Sequence, residues 1–282
     1  MSGRVTDVAV YADNPKHFFV AYASSGVFET TNAGNTLTPV FDNQGSLTIG
    51  DMAISQADDD LILVGTGENN SSRSSYAGAG VYKSTDGGDS WEYSGLRNTQ
   101  HIGRILTHPT NSNVAWVASI GALYSHNEQR GVYKTTDGGK TWEKTLFVND
   151  STGVIDLVQH PDNPSVLWAS TWERERDAWN FKGSGEGSAI YKSTDGGENW
   201  KKSVDGFPQG DFVGRIGLDV SKSNPNILYA VLDNQKESKE KKEKEEDKLV
   251  AADFLEMTKK EFLNLDEDKL ADFLKSNGFP ER

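Results

Sequence analysis

"GVYKTTDGGKTWEK", residues 131–144, sets an Asp-Gly-Gly turn between a strand-like stretch and Trp142. The phrase recurs as "GVYKSTDGGDSWEY" at 80–93 and as "AIYKSTDGGENWKK" at 189–202. A worn copy, "GVFETTNAGNTLTP", occupies 26–39, with Asn32 at the Asp position and Leu37 at the Trp position. The Ser/Thr that opens each phrase falls at Thr30, Ser84, Thr135 and Ser193, at spacings of 54, 51 and 58 residues. A fixed period of this size marks a supersecondary unit that stacks on copies of itself.

The unit extends upstream. "GRVTDVAVYADNPKHFFVAYA", "GDMAISQADDDLILVGT", "GRILTHPTNSNVAWVAS", "GVIDLVQHPDNPSVLWAS" and "GRIGLDVSKSNPNILYAVL" each read as an apolar strand, a Pro/Asn/Asp turn and a second apolar strand. A loop of variable length follows, then the phrase itself. Four strands in about 50 residues is the size of a propeller blade. The expected fold is all-β: a β-propeller of four-stranded blades, with about four and a half blades in an open arc or incomplete ring. Residues 1–234 hold four blades and the first half of a fifth. Residues 235–248 form a charged linker, and 249–282 a short α-helical insertion. Two helices are predicted there. Thr258 and Glu261 make a capping-box pattern, Asp266 caps a second helix, and Asn277-Gly278 stops it.

The phrase is Ser/Thr-x-Asp-x-Gly-x-x-Trp, the Asp-box. Its full copies are Ser84, Asp86, Gly88 and Trp91; Thr135, Asp137, Gly139 and Trp142; and Ser193, Asp195, Gly197 and Trp200. The Asp accepts backbone hydrogen bonds within the hairpin, the hydroxyl supports the same turn, and the Trp packs between neighbouring sheets. The boxes are spread around the ring, so their acids cannot converge on one substrate. They are building blocks. The worn copy keeps the turn without the acid.

With 29 basic and 42 acidic residues, the net charge is −13, which argues against nucleic acid and anionic membranes as partners. There is no cysteine. No spacing suited to a metal ion or cofactor stands out, so neither is expected. No apolar run reaches the ~18–20 residues of a membrane span.

A ligand site is expected on the upper face, where the loops between second and third strands meet the start of each first strand. Gly-led openings place Arg4, Asp51, Arg104, Val154 and Arg215 near the channel mouth. The arginines suit carboxylates or sulfates; the alternative is salt bridging, with Asp7, Asp51 and Asp156 as partners. His101 precedes Gly103-Arg104 at the same mouth. The loops add Glu68, Asn69 and Arg73, then Tyr124, then Trp172, Glu173, Arg174 and Trp179. Charges interleaved with aromatics suit a glycan or a peptide. Packing of the long loop is the alternative for Trp172 and Trp179.

These motifs make the chain similar to Asp-box (BNR-repeat) propellers, a group that includes sialidases, xyloglucan hydrolases, photosystem assembly factors and sortilin-type receptors. It resembles most closely bacterial proteins with a sortilin-like N-terminal propeller, often labelled glycosyl hydrolases. The resemblance rests on the boxes, the Lys/Glu-rich run after Asn234 and the "FLNLDEDKLADFLKSNGFP" element. It implies an extracellular or periplasmic protein whose ring is interrupted before further blades. Because the fifth unit lacks its third and fourth strands, self-association through open blade edges is also expected. It departs from sialidases, where "GRIL" and "GRIG" lack the family's proline. It also departs from xyloglucan hydrolases, where Ser24-Ser25 stand at an acidic position. The expected function is a binding or scaffold module for glycan or peptide. The alternative is a glycoside hydrolase completed by blades outside this stretch.

Overall fold

The computed structural model describes residues 3–236 and 248–279. Most of the proposed charged linker therefore lies outside the described residues. Two compact units divide the chain, Met1–Gln235 and Lys236–Arg282.

The first unit is a β-propeller built of antiparallel meanders. Blade 1 comprises β1 (Val5–Val10), β2 (Phe18–Tyr22), β3 (Gly26–Thr30) and β4 (Thr38–Pro39). Blade 2 comprises β5 (Ile49–Ile54), β6 (Ile62–Thr66), β7 (Val81–Ser84) and β8 (Glu92–Gly95). Blade 3 comprises β9 (Ile102–Thr107), β10 (Ala115–Ser119), β11 (Gly131–Thr135) and β12 (Glu143–Leu146). Blade 4 comprises β13 (Thr152–Gln159), β14 (Leu167–Glu173), β17 (Ile190–Ser193) and β18 (Lys201–Ser203). An extra hairpin, β15 (Glu175–Arg176) with β16 (Phe181–Lys182), stands in the long loop of blade 4. The sequence alone reads that segment as loop. A two-stranded sheet, β19 (Val213–Val220) with β20 (Leu228–Asn234), makes the half blade.

The Asp-box turns form as their chemistry requires. Thr135 Oγ1 accepts from Gly139 N at 2.9 Å and donates to Asp137 Oδ1 at 2.8 Å. Asp137 Oδ1 accepts from Thr141 N at 2.9 Å, and Oδ2 from the Thr141 hydroxyl at 2.6 Å. Gly138 and Gly139 hold φ of 71° and 79°, a region that disfavours a Cβ. In the worn copy Thr30 Oγ1 still accepts from Gly34 N at 3.0 Å, and Asn32 Oδ1 from Thr36 N at 2.9 Å. Asn supplies the acceptor that Asp supplies elsewhere.

The core lies between blades, as a series of layers. Phe19, Val27 and Phe41 of blade 1 pack against Ile49, Ile62 and Tyr82 of blade 2. Leu63 and Val81 then meet Ile105 and Val117, and Trp116 and Val132 meet Val154 and Leu167. The last layer joins Trp168 and Ile190 to Val213 and Ile216. Tryptophans stitch these layers. Trp142 Nε1 donates to Ser94 O at 2.7 Å, and Trp116 Nε1 to Gly196 O at 2.9 Å, each across a blade boundary. On the two outer sheets the apolar side chains Val8, Val10, Tyr229 and Val231 are exposed.

The second unit carries three helices rather than two: α1 (Ala251–Glu256), α2 (Lys259–Leu263) and α3 (Glu267–Ser276). Thr258 divides the apolar run. Its hydroxyl accepts from Glu261 N while Glu261 Oε2 accepts from Thr258 N at 2.8 Å. That capping box starts α2 where the sequence predicts a helix start, and α1 before it is the additional helix. Asp266 Oδ1 caps α3 through Asp268 N and Lys269 N. Phe254 gathers Phe273 and Phe262, with ring centroids at 4.7 and 6.2 Å.

Two outcomes follow for the blades. Trp116 is buried, so Trp116→Ala is expected to cost about 3–5 kcal/mol in equilibrium denaturant unfolding, with Trp116→Phe costing less. The box hydrogen bonds, those from Thr141 foremost, hold the Asp137 carboxyl well below the usual carboxylate range. A depressed folded value gives stability that is present above the unfolded pKa of about 3.9 and is lost as pH falls through the folded value. Asp137→Asn is expected to keep the turn, as Asn32 does. It should flatten the loss of denaturation midpoint between pH 5 and pH 2.

Candidate functional site

The first strand of each blade has one edge facing the channel, where backbone N–H groups lack a strand partner. Side chains at one repeated position satisfy them. Strand pairing places Asp7 opposite Ala21, Asp51 opposite Gly65, Arg104 opposite Ala118, Asp156 opposite Ser170 and Gly217 opposite Val231. Asp7 Oδ2 accepts from Met52 N at 3.2 Å, Asp51 Oδ2 from Ile105 N at 2.6 Å, and Asp156 Oδ2 from Leu218 N at 2.9 Å. Each carboxylate thus bonds the strand of the next blade. Blade 3 has Arg104 there instead, and Leu157 N turns to its own blade's Asp156 Oδ1 at 3.0 Å. Arg104 then bridges Asp51 at 3.1 Å and Asp156 at 3.0 Å. The Asp51 carboxylate foremost holds the Arg104 guanidinium in its charged form, while burial pushes the Asp51 carboxyl up.

This register changes the sequence alignment. Counting from the opening glycine groups Arg4, Arg104 and Arg215 together. The opening glycines Gly3, Gly103 and Gly214 stand four, one and three residues before the ladder position, so the three arginines occupy different places. Arg4 lies before β1 and pairs with Glu68. Arg104 belongs to the carboxylate ladder. Arg215 has its guanidinium 5.6 Å from the Trp172 ring and reaches Asn69 O at 3.5 Å. Counting back four residues from the Tyr11, Ser55, His108, His160 and Ser221 turn positions would have found the ladder.

The upper loops converge through the stretch that follows β6. Glu68 is 1% exposed, and its carboxylate also accepts from Asn70 Nδ2 at 3.0 Å. His101 is buried beside it, and its Nδ1 donates to Glu68 O at 2.8 Å. Burial, then the nearby Arg174 charge, push the imidazole down to about 4, so it is neutral at pH 7. Asn69 Nδ2 ties back to Gly50 O at 3.1 Å. The chain then crosses toward blade 4. Arg174 donates to Asn70 O at 3.2 Å, Ser71 Oγ at 2.6 Å and Gly121 O at 3.2 Å. Arg176 donates to Ser71 O through Nε at 3.1 Å and through Nη2. The Tyr124 hydroxyl donates to Arg73 O at 3.0 Å.

Trp172 is buried, its Nε1 donating to Gly183 O at 2.8 Å and its ring edge-on to Phe181. Packing explains it. Trp179, on the hairpin tip between β15 and β16, is 80% exposed. Glu173 is committed to Lys182 at 3.1 Å and Gly187 N at 2.9 Å. Arg130 and Arg176 stand in the same upper loops as Tyr124 and Arg174. Arg130 is buried, and its two terminal nitrogens donate to the carbonyls of Ile120, Ser151, Ala122 and Ser125. Phe181, under the Arg176 guanidinium at 4.3 Å, gave no signal beyond one aromatic in a polar run.

A cavity of about 720 Å3 opens along the channel below this mouth, lined by Ala53, Arg104, Asp156, His160 and Leu218. Among the described residues, no group of three or more His, Cys, Asp or Glu side chains is placed to hold a metal ion. Among them too, no helix is long and apolar enough to cross a membrane.

The family description "Sortilin-Vps10 (Sortilin, neurotensin receptor 3)" matches residues 79–279, from blade 2 through the helical unit. The chain belongs to the Sortilin-Vps10 family. It is also similar to xyloglucanase Xgh74A of Acetivibrio thermocellus, 24% identical over 156 residues that are 51% of this chain and 16% of the enzyme. Among solved structures it is similar to an ancestral GH74 enzyme, with TM-score 0.58 and 22% identity over 77% of this chain and 27% of that one. The GH74 xyloglucanase from Xanthomonas campestris gives TM-score 0.57 and 16% identity over 81% and 35%. These likenesses show the propeller fold. This Sortilin-Vps10 chain spans about a sixth of the curated relative's length.

Arg104 is a structural cation. Arg104→Met leaves Asp51 buried without its ion partner. It is expected to cost about 2–3 kcal/mol in denaturant unfolding, below the range for fully buried pairs because Arg104 is 40% exposed.

Proposed function

We propose that this chain is an extracytoplasmic glycan-binding surface, built on the upper face of a Sortilin-Vps10 propeller. One observation carries the reading. The deep carboxylates of that face, Glu68 and Glu173, are each engaged by a cation and a further hydrogen-bond donor, whereas Tyr76, Tyr124 and Trp179 remain exposed on its loops. Glycoside hydrolysis needs a proton donor and a second free carboxylate flanking the bond. Binding needs only rings that pack on sugar faces and polar groups that fix orientation.

A second reading, a glycoside hydrolase completed by residues outside this chain, is favoured by the named activity of its xyloglucanase relatives. A glycan array and an acidic peptide library, followed by a reducing-end assay on each sugar bound, separate the two. Retention of oligosaccharides without release of new reducing ends is the expected result. Trp179→Ala with Tyr124→Ala is expected to weaken retention about tenfold or more. Reducing ends formed by this chain would establish the hydrolase reading. Retention of peptides alone would replace the glycan as ligand.

A further inference from the structure

Four arginines sit within electrostatic reach of one another on the upper face: Arg130, Arg174, Arg176 and Arg215. Burial foremost, then the charges of Arg130, Arg215 and Arg176, push Arg174 down to about 9. Among the described residues, none of the four has a carboxylate within 4.0 Å. In a chain of net charge −13 this is a conspicuous omission. Buried cations are ordinarily paired, because desolvation costs several kcal/mol per ion. The acids nearby are used elsewhere: Glu68 by Arg4, Asp156 by Arg104, and Glu173 by Lys182. Glu175 stands 3.9 Å from His126.

The arginines take neutral acceptors instead. Arg130 is enclosed by carbonyls of its own surroundings and is structural. Arg174, Arg176 and Arg215 share a different set. Asn69 O, Asn70 O, Ser71 O and Ser71 Oγ all belong to one three-residue stretch, delivered from blade 2 to arginines of blades 4 and 5. Arg174 Nε, like Arg130 Nε, is buried without a hydrogen-bond partner. The strap beyond is open to solvent at Ser72, Arg73 and Ser74. A guanidinium adds the attraction of opposite charges to its hydrogen bonds when the acceptor is a carboxylate, and meets it in a two-pronged geometry. A ligand carboxylate is therefore a better partner for these cations than the strap is.

Two features define the ligand. Tyr76, Tyr124 and Trp179, 61%, 54% and 80% exposed, are rings on the same loops. Asp177, half-buried on the hairpin that carries Arg176, disfavours a densely charged polyanion, as does the net charge. Isolated carboxylates carried on sugar rings satisfy both. We propose that Arg174, Arg176 and Arg215 form a carboxylate-binding site for a uronic-acid-bearing glycan, which takes the place of the 69–71 strap. The proposal rests on the glycan-binding reading above and narrows it to acidic sugars.

The test is calorimetric titration of the whole chain with trigalacturonate and with the neutral trisaccharide made by reducing its carboxyls. Trigalacturonate is expected to bind at least about tenfold more tightly than the neutral sugar. Arg176→Gln/Arg215→Gln is expected to weaken it by about tenfold or more, and the Lys/Lys pair to recover only part, since lysine lacks the fork. Hydrogen exchange at Ser72 and Ser75, whose amides are bonded within the strap, should quicken on binding. Near-ultraviolet circular dichroism checks folding of the double variant, and Arg176→Gln alone replaces it if packing is lost. Equal binding of acidic and neutral sugar overturns the carboxylate site and leaves the glycan reading standing. Failure of every sugar on the array removes both. Trigalacturonate binding that survives the Gln variants, or leaves strap exchange unchanged, overturns the assignment to these residues.

Discussion

The channel-facing edge of the first strands is the constraint on which the propeller depends. Each such edge carries backbone N–H groups that no strand can reach. Asp7, Asp51 and Asp156 resolve this by accepting from the next blade, at Met52, Ile105 and Leu218. A hydrogen bond between blades fixes their relative rotation as well as satisfying a donor. Where the repeated position is Arg104, the ladder continues as a bridge between two acids. The rotation set at the axis decides where the upper loops arrive. It brings a loop of blade 2 onto arginines more than 100 residues away in sequence.

The blades themselves were legible in the sequence, because their determinants are local. An Asp-Gly-Gly turn needs positive φ at both glycines, and its acid needs a backbone amide and a side-chain donor four residues on, a hydroxyl at Ser90 and Thr141 and an amide at Asn199. Such requirements leave a fixed phrase at a fixed period. The ladder was only half legible. Its acids were visible as salt-bridge partners, but the opening glycine stands at a different distance from the ladder position in different blades, which defeats alignment from it. The strap was not legible, since a guanidinium bonded to a carbonyl places no demand on the carbonyl's residue type. The third helix was missed for a related reason. Thr258 caps a helix in either reading, and only the geometry of Val250 to Met257 makes α1 a separate turn of helix.

The Sortilin-Vps10 fold fixes a scaffold and leaves its loops to choose a ligand. In this chain Glu68 and Glu173 of the upper face are engaged by Arg4 and Lys182, while Arg174, Arg176 and Arg215 bond neutral acceptors. Arg104 and Arg176 have the same side chain, yet one is pinned between carboxylates and the other rests on a serine carbonyl. Charge type alone therefore says little about function in such a ring. What distinguishes the two is whether a counter-charge is already present.

The apolar layers between blades have a consequence for cooperativity. Each layer is shared by two neighbours, so blades 2, 3 and 4 are each clamped on both faces. Free energy in such a stack behaves as a chain of nearest-neighbour couplings. Opening any one of these three blades gives up two layers at once, which ties the opening of each to the packing of both its neighbours.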